Sequence, residues 1–121
     1  MEISFSLLHI PFKVAFKHNS ATRSESSTFW VEIQEEGFIG CGEGCPRVYV
    51  TGETEETCVS FFNQWKESWK TISGLQSLER WAEDHQLEID SNLSAWCAVE
   101  MAFLDLWSQQ SEMSIPQFLG Y

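Results

Sequence analysis

The stretch Phe29-Trp30-Val31-Glu32-Ile33-Gln34-Glu35-Glu36-Gly37-Phe38-Ile39 decides the fold. Its residues Phe29, Val31 and Ile33 alternate with three others, two of them polar, which is the period-two pattern of a strand with one buried face. Glu35-Glu36-Gly37 then supplies a turn, because glycine adopts a positive φ at no steric cost. Phe38 begins the next strand, and two strands joined by so short a connection are antiparallel neighbours.

An earlier strand precedes this hairpin. Ile3, Phe5 and Leu7 alternate with polar residues, and the pattern stops near Pro11. The simplest arrangement adds this strand to the hairpin as a three-stranded antiparallel meander.

The polar stretch between the first two strands, residues 13–27, has no apolar period in its second half and is predicted to be a long loop. A loop of this length in a compact domain is usually either a functional lid or a disordered segment. Both interpretations stay open at this point.

After the strands, apolar residues recur every three or four positions, which predicts helices. The first begins at Thr54-Glu55-Glu56 and is closed by Gly74, and a short second helix has Ser77 as its candidate N-cap. A third covers residues 93–108 behind a cap at Ser91 or Asn92. The tail fits one more helical turn, with Pro116 in its first turn and Gly120 as its stop.

The third helix is apolar nearly all round, so we expect it to be central and covered on more than one side. Two other helices and a small meander are scant cover, which gives weak support to a missing partner. Six tryptophans indicate a packed interior or a buried interface, and so a folded domain.

Composition bounds the class of protein. A chain of 121 residues makes one domain and leaves no room for a catalytic barrel, which typically has about 250 residues. The net charge of −11 excludes nucleic-acid binding, which needs a basic face. The chain opens without a basic signal-peptide region and has no run of the ~20 apolar residues that span a bilayer. We therefore expect a cytoplasmic protein that does not bind membranes.

The four cysteines, Cys41, Cys45, Cys58 and Cys97, form no C-x-x-C pair, and the histidines lie far from them in sequence. We interpret them as reduced, mostly buried thiols and expect no metal site from them.

Three motifs in order carry a family resemblance. The segment 37–44, Gly-Phe-Ile-Gly-Cys-Gly-Glu-Gly, resembles the glycine-rich third strand and turn of the enolase-superfamily N-terminal capping domain. The segment 46–54, Pro-Arg-Val-Tyr-Val-Thr-Gly-Glu-Thr, resembles the substrate-facing loop of dipeptide epimerases. The segment 95–106 is similar to the family's alanine-rich helix, and residues 115–120 resemble the approach to the first barrel strand. Together the motifs cover the chain and indicate the muconate-lactonizing and dipeptide-epimerase branch.

The resemblance implies a cap over the mouth of a modified (β/α) barrel. In that family the barrel supplies three acidic ligands for Mg²⁺ and the lysines or histidine that move the α-proton of a carboxylate substrate. None of those residues is present here, so the resemblance implies no catalytic, cofactor or metal residue in this chain. It implies Mg²⁺ in the parent enzyme and a barrel partner in cis or in trans.

Three features of the motifs also have a plain physical interpretation. Gly40, Gly42 and Gly44 allow either a bulged strand end or the close approach of another surface. Glu43 could be a general base, but a structural hydrogen-bond acceptor is the preferred interpretation. Glu100 and Asp105, in the apolar helix, are interpreted as contacts to backbone or to a partner domain.

Positive charge is concentrated near the two candidate loops of this acidic chain, where it suits an anionic ligand such as a carboxylate. A solvated loop whose lysines only keep it soluble is the alternative. By resemblance, the residues that line a substrate chamber are Lys17, His18, Thr22 and Arg23 in the first loop, with Arg47, Tyr49, Thr51 and Gly52 in the second.

The prediction is therefore an α+β capping domain over residues 1–121, with a three-stranded antiparallel meander followed by a three- to four-helix bundle and no barrel. Residues 1–44 form the meander with the loop 13–27, residues 45–53 the substrate-facing loop, and residues 54–121 the bundle. The predicted function is the specificity cap of a Mg²⁺-dependent isomerase or lyase acting on a small carboxylate or dipeptide. The alternative is a non-catalytic interaction or homo-oligomerisation module built on the third helix and the tryptophans. A free-standing enzyme that uses Glu43 and His18 is a third, weaker alternative.

Overall fold

The computed structural model describes the backbone of residues 1–18 and 21–121 and the side chains of residues 1–11 and 27–121. Three strands come first and helices follow. The strands are β1 (Glu2–His18), β2 (Ala21–Glu35) and β3 (Phe38–Gly44), and the helices are α1 (Val48–Thr51), α2 (Glu55–Trp69), α3 (Leu75–Asp84), α4 (Gln86–Asp90), α5 (Leu93–Gln110) and α6 (Ile115–Phe118).

The strands form one antiparallel sheet in the order β1-β2-β3, which confirms the meander and the α+β class. Phe29, Val31 and Ile33 are fully buried on one face of β2, as their alternation predicts. In the turn to β3, Glu36 has φ 52° and Gly37 has φ 82°. Positive φ at both central residues is the geometry that matches the twist of an antiparallel hairpin.

The prediction of a long loop over residues 13–27 is wrong. β1 continues to His18 and β2 begins at Ala21, with one shift of register between Pro11 and Phe16. Strand pairing uses backbone groups, so a polar sequence with no apolar period can still form a ladder. The β1–β2 hairpin therefore extends past the end of β3, because β3 stops at Gly44, opposite Phe29.

Helix α5 lies against β3 and β2, and α2 also contacts it. Pairing of β2 with β3 runs without a register shift from Phe29 and Gly44 to Glu35 and Phe38. The bulged-end interpretation of the glycines is therefore wrong, and the close-approach interpretation is confirmed. A β-carbon added at Gly40 would lie 2.2 Å from the carbonyl oxygen of Ala102, so the helix backbone rests directly on the strand.

The tryptophans belong to the core of this domain. Trp69, Trp81, Trp96 and Trp107 are buried, and Trp81 stacks on Trp96 with ring centroids 4.9 Å apart. Trp65 packs edge-on against Trp81. Aromatic pairs of this geometry stabilise a core beyond the free energy gained by burying their apolar surface. In the alternative of an interaction module the tryptophans form a docking surface, and this part of the alternative is wrong, because the chain itself covers most of them.

Three helices of ten or more residues, α2, α3 and α5, make up the helical part, with short helices between and after them. Thr54 caps α2 by accepting a hydrogen bond from the amide of Thr57. Ser77 is not the N-cap of α3, which begins at Leu75. Its hydroxyl instead accepts from the amide of Gly74 from within the first turn. In the described part of the chain, no helix is both long and apolar enough to cross a membrane.

Candidate functional site

Residues 45–53, which we call the connecting segment, leave β3 at the point where the β1–β2 hairpin continues alone. The segment contains the short helix α1, where the sequence pattern predicts a loop. It runs beside β2: the Thr28 hydroxyl lies 3.9 Å from the Cys45 sulfur, and Thr28 itself is buried. The connecting segment is thus attached to the hairpin from its first residue.

Arg47 makes the second attachment. Its Nη1 donates to the carbonyl oxygen of Pro46 at 2.8 Å and to that of Ser27, on β2, at 3.3 Å. Guanidinium groups bind carbonyl oxygens through charge-assisted hydrogen bonds. Arg47, predicted as a cation for an anionic ligand, therefore holds the connecting segment to the hairpin.

The far end of the connecting segment is anchored by Glu53, which sequence reasoning missed. Its carboxylate is 2% exposed and accepts hydrogen bonds from the amides of Ser94 at 2.9 Å and Ala95 at 3.3 Å. These are unpaired donors at the start of α5, where the helix dipole favours a negative group. Asn92 is the N-cap residue of α5, as predicted, but its side chain makes no cap bond. The sequence does contain one indication of such a partner: the first turn of α5 has no acidic residue of its own, so an acidic group from elsewhere in the chain can bind its free amides.

Between these anchors the connecting segment presents apolar side chains outward. Val48 is 65% exposed and Val50 is 69% exposed, and Tyr49 between them is half-buried. The Thr51 hydroxyl accepts from the amide of Glu53 at 3.4 Å, and Gly52 has φ 78°, which ends α1. Arg47, Tyr49, Thr51 and Gly52 therefore lie together on one short, doubly anchored segment.

The other four predicted residues lie in the strands near the far end of the hairpin. Lys17 pairs with Thr22 in the ladder, and Arg23 pairs with Phe16. His18, the last residue of β1, pairs with Ala21. The side chains of Lys17, His18, Thr22 and Arg23 lie outside the described residues, so their relation to the connecting segment stays a prediction.

A further contact joins the hairpin to α2. His9 Nε2 lies 2.5 Å from Oε1 of Glu55, the first residue of α2. His9 pairs in the ladder with Ser27, the residue whose carbonyl Arg47 holds. Sequence reasoning missed this pair because the two residues lie far apart along the chain.

The interpretation of Glu43 as a structural acceptor is wrong, because Glu43 is exposed and its carboxylate has no hydrogen-bond partner among the described residues. It lines an open depression of about 410 Å³ that also contains Cys45, Cys97 and Met101. Burial, Glu100 and Cys45 raise the pKa of the Cys97 thiol. No set of three histidine, cysteine or acidic side chains that could hold a metal occurs in the described part.

Asp105 behaves as predicted. Its Oδ2 accepts a 2.8 Å hydrogen bond from the amide of Cys41, and Gln109 donates to the carbonyl of Ile39 at 2.8 Å. Both side chains come from α5 and satisfy outward backbone groups of β3, an edge strand. Glu100, on the same helix, is half-buried and has no hydrogen bond to another described residue.

Comparison with known proteins gives this arrangement a context. The chain is 28% identical over 121 residues to the L-Ala-D/L-Glu epimerase of Bacillus subtilis (strain 168), which covers 99% of this chain and 33% of that protein. It is 27% identical over 111 residues to the L-Lys-D/L-Arg epimerase of Methylococcus capsulatus, covering 91% of this chain and 30% of that one. The chain thus spans about a third of the length of the relatives it matches.

Solved structures agree. The substrate-liganded complex of the Bacillus subtilis epimerase superposes with a TM-score of 0.85 at 28% identity, over 99% of this chain and 34% of that one. The dipeptide epimerase of Methylococcus capsulatus, complexed with Mg and the dipeptide L-Arg-D-Lys, gives a TM-score of 0.82 at 25% identity, over 98% and 34%. The family model for the N-terminal domain of mandelate racemase / muconate lactonizing enzyme matches residues 4–120. The chain therefore belongs to the mandelate racemase / muconate lactonizing enzyme family, as its N-terminal domain.

Proposed function

We propose that this chain is the substrate-specificity cap of a Mg²⁺-dependent isomerase or lyase that removes a proton next to a carboxylate, with dipeptide epimerisation as the first candidate reaction. The support is the match to two dipeptide epimerases over nearly the whole of this chain. A barrel domain, in cis or in trans, is the partner that a cap of this kind requires.

One observation carries the proposal: the bond from Arg47 to the Ser27 carbonyl joins the connecting segment to strand β2 of the β1–β2 hairpin. The two stretches predicted to contact substrate are therefore held by one framework, although they are separate in sequence. We assign Arg47, Tyr49, Thr51 and Gly52 to the substrate side of the connecting segment, and Lys17, His18, Thr22 and Arg23 to the hairpin's contribution.

In this proposal the cap selects the substrate and supplies no proton-transfer group. The outward Val48 and Val50 of the connecting segment would cover the bound dipeptide and exclude water, which strengthens electrostatic interactions inside the closed site. The described residues offer no cluster that suits Mg²⁺, so we assign the metal ligands to the barrel. Magnesium bound there would stabilise the charge that develops on the substrate carboxylate.

The test begins with the coding region beyond Tyr121. If the reading frame encodes a barrel, the whole protein is purified with Mg²⁺ and incubated with a set of L,L-dipeptides in D₂O, and deuterium at the α-carbon is measured by mass spectrometry. Dipeptide epimerisation predicts exchange at one residue of the dipeptide. If the protein is active in another reaction of the family but exchanges no dipeptide, the choice of reaction is wrong. If the frame stops, barrel domains are supplied in trans. Their binding to this chain is measured first and the exchange assay is then repeated, and absence of binding contradicts the cap role.

A matched pair of variants tests the connecting segment. Val50→Asp changes an exposed valine within the connecting segment, and Leu87→Asp changes a leucine that is 83% exposed on α4. We expect Val50→Asp to lower kcat/KM about tenfold or more, equivalent to roughly 1.4 kcal/mol of transition-state binding, and Leu87→Asp to leave it unchanged. Equal effects would show that the connecting segment does not face the substrate.

A further inference from the structure

The ladder pair His9 and Ser27 is attached on both sides to the chain that follows β3. On the β1 side, His9 Nε2 lies 2.5 Å from Glu55 Oε1. On the β2 side, the Ser27 carbonyl accepts from Arg47 Nη1 at 3.3 Å. Because His9 and Ser27 are direct partners in the ladder, both attachments hold the same cross-section of the hairpin.

The two attachment points also enclose most of the connecting segment, from α1 to its last residue. Arg47 is the N-cap residue of α1, and Glu55 is the first residue of α2. The chain from Arg47 to Glu55 therefore leaves one ladder pair and returns to it. Fixing both ends of a short stretch removes most of its conformational freedom, so its position is set by the hairpin.

Two ladder pairs beyond this one, the regular pairing of the hairpin ends. The pairing continues to Pro11 and Glu25, and the register then shifts before Phe16. The His9–Ser27 pair therefore lies near the end of the regular ladder, on the side that leads to Lys17 and Arg23. An attachment here acts on the position of everything the hairpin presents beyond it.

We propose that His9, Glu55 and Arg47 are positioning residues that couple the connecting segment to the β1–β2 hairpin, so that the two move as one unit. In this role Arg47 acts through its hydrogen bonds to the carbonyls of Pro46 and Ser27, and the His9–Glu55 pair acts on α2. The role is separate from the substrate contact assigned to Arg47 above. The coupling itself is independent of the proposed function, and only its consequence for substrate choice rests on that proposal.

The test measures amide hydrogen exchange by NMR on the 121-residue chain at one fixed pH between about 5 and 6, where an ordinary imidazole is mostly protonated and an ordinary carboxyl group is ionised. The reporters are the amides of Thr51 and Gly52, which donate to the carbonyls of Arg47 and Val48 respectively. Both amides belong to the connecting segment, and neither residue is changed by a substitution at His9. His9→Gln replaces an imidazole, which can carry a positive charge, with a neutral amide. It therefore removes the charge from the contact with Glu55 without altering any residue of the connecting segment or of α2. We expect it to speed exchange at both reporters about threefold, the size that an exposed ion pair of under 1 kcal/mol allows.

Glu67→Gln is the matched control, because it removes an exposed ion pair with Lys70 on the same helix, away from the hairpin. It should leave both reporters unchanged. Glu55→Gln, a second variant of the pair, should reproduce the effect of His9→Gln. Adding His9→Gln to Arg47→Met should have less effect on the reporters than His9→Gln alone, since the coupling is already broken.

Exchange that rises only near His9, with Thr51 and Gly52 unchanged in both variants of the pair, would overturn the proposal. So would full additivity of His9→Gln and Arg47→Met. Neither result bears on whether a barrel exists or which reaction it performs, so failure of the coupling and failure of the proposed function are separate outcomes.

Discussion

The backbone of Gly42 rests on the carbonyl oxygen of Ala98, so that a β-carbon added to Gly42 would lie 2.0 Å from that oxygen. Gly44 has the same relation to Ser94, and Gly40 to Ala102. Two residues of a strand advance about 6.7 Å and four residues of a helix about 6.0 Å, so the two spacings stay nearly in step. β3 and α5 therefore meet, backbone to backbone, over three successive contacts.

Gly42→Ala should destabilise the domain by about 3 kcal/mol or more, because the new methyl group meets backbone atoms that no side-chain rotation can move away. The measurement is the free energy of unfolding in urea. Gly74→Ala is the control, since a β-carbon there has no neighbour within 4 Å and the φ of Gly74 is extended. It should change the free energy of unfolding by less than about 1 kcal/mol. Equal losses in both variants would contradict the close packing of β3 on α5.

Glu53→Gln should lower the free energy of unfolding by about 1–3 kcal/mol, because the amide group turns a donor toward the amides of Ser94 and Ala95. The loss should be read from chemical denaturation near neutral pH. Glu56→Gln removes a carboxylate from the first turn of α2, where the side chain is exposed, and should cost less than about 1 kcal/mol. A Glu53→Gln protein as stable as the control would show that Glu53 does not cap α5.

Asp105→Ala should cost about 1–2 kcal/mol, because the amide of Cys41 loses its acceptor. The substitution also exposes an unpaired edge on β3, so the variant should self-associate more at high concentration in sedimentation experiments. Glu100→Ala, on the same helix, leaves every described hydrogen bond intact and should remain as the parent. Unchanged association of Asp105→Ala would mean that β3 is protected in another way.

Cys58 should resist alkylation in the folded protein at pH 8. It is fully buried, and burial together with the nearby Glu53 raises the pKa of its thiol to about 12. Only about one molecule in ten thousand then carries the reactive thiolate at pH 8. Mass spectrometry after iodoacetamide treatment should show label on the exposed Cys45 and Cys97 but on Cys58 only after unfolding. Label on Cys58 at the rate of Cys45 would refute its burial.

The same raised pKa predicts a loss of stability in alkali. Between pH 9 and about 12 the folded state keeps the Cys58 proton while the unfolded state releases it. The contribution to the free energy of unfolding is therefore complete below pH 9 and is lost as the pH rises toward 12. Cys58→Ala should show a shallower decline over this range in urea titrations. Parallel curves for the two proteins would contradict the assignment.

Local patterns in the sequence predicted the parts of the fold that depend on neighbours along the chain. The alternation around Val31, the turn at Gly37 and the helix start at Thr54-Glu55 are each decided within a few residues, and all three are confirmed. The glycines of β3 predicted a close approach, but not which element approaches. Glycine has no side chain whose chemistry could indicate that the partner is α5.

The failures depend on distant partners or on backbone pairing. Residues 13–18 and 21–27 lie in strands because their backbone finds a partner strand, which side-chain periodicity does not report. Glu43 was interpreted as a structural acceptor and Glu53 was given no role, because the donors that Glu53 binds begin far along the chain, at Ser94. The hairpin attachments at His9 and Arg47 were missed for the same reason, since pairing across the sheet creates them.

The connecting segment is anchored at two points, so the residues that hold it in place are different from the residues that it exposes. Arg47 and Glu53 hold the ends through backbone groups, while Val48 and Val50 point outward and support no core contact. Val48 and Val50 can then be replaced at little cost to folding. A lineage that keeps the anchors could acquire a new ligand preference through one or two changes at the tip, without first gaining stability elsewhere.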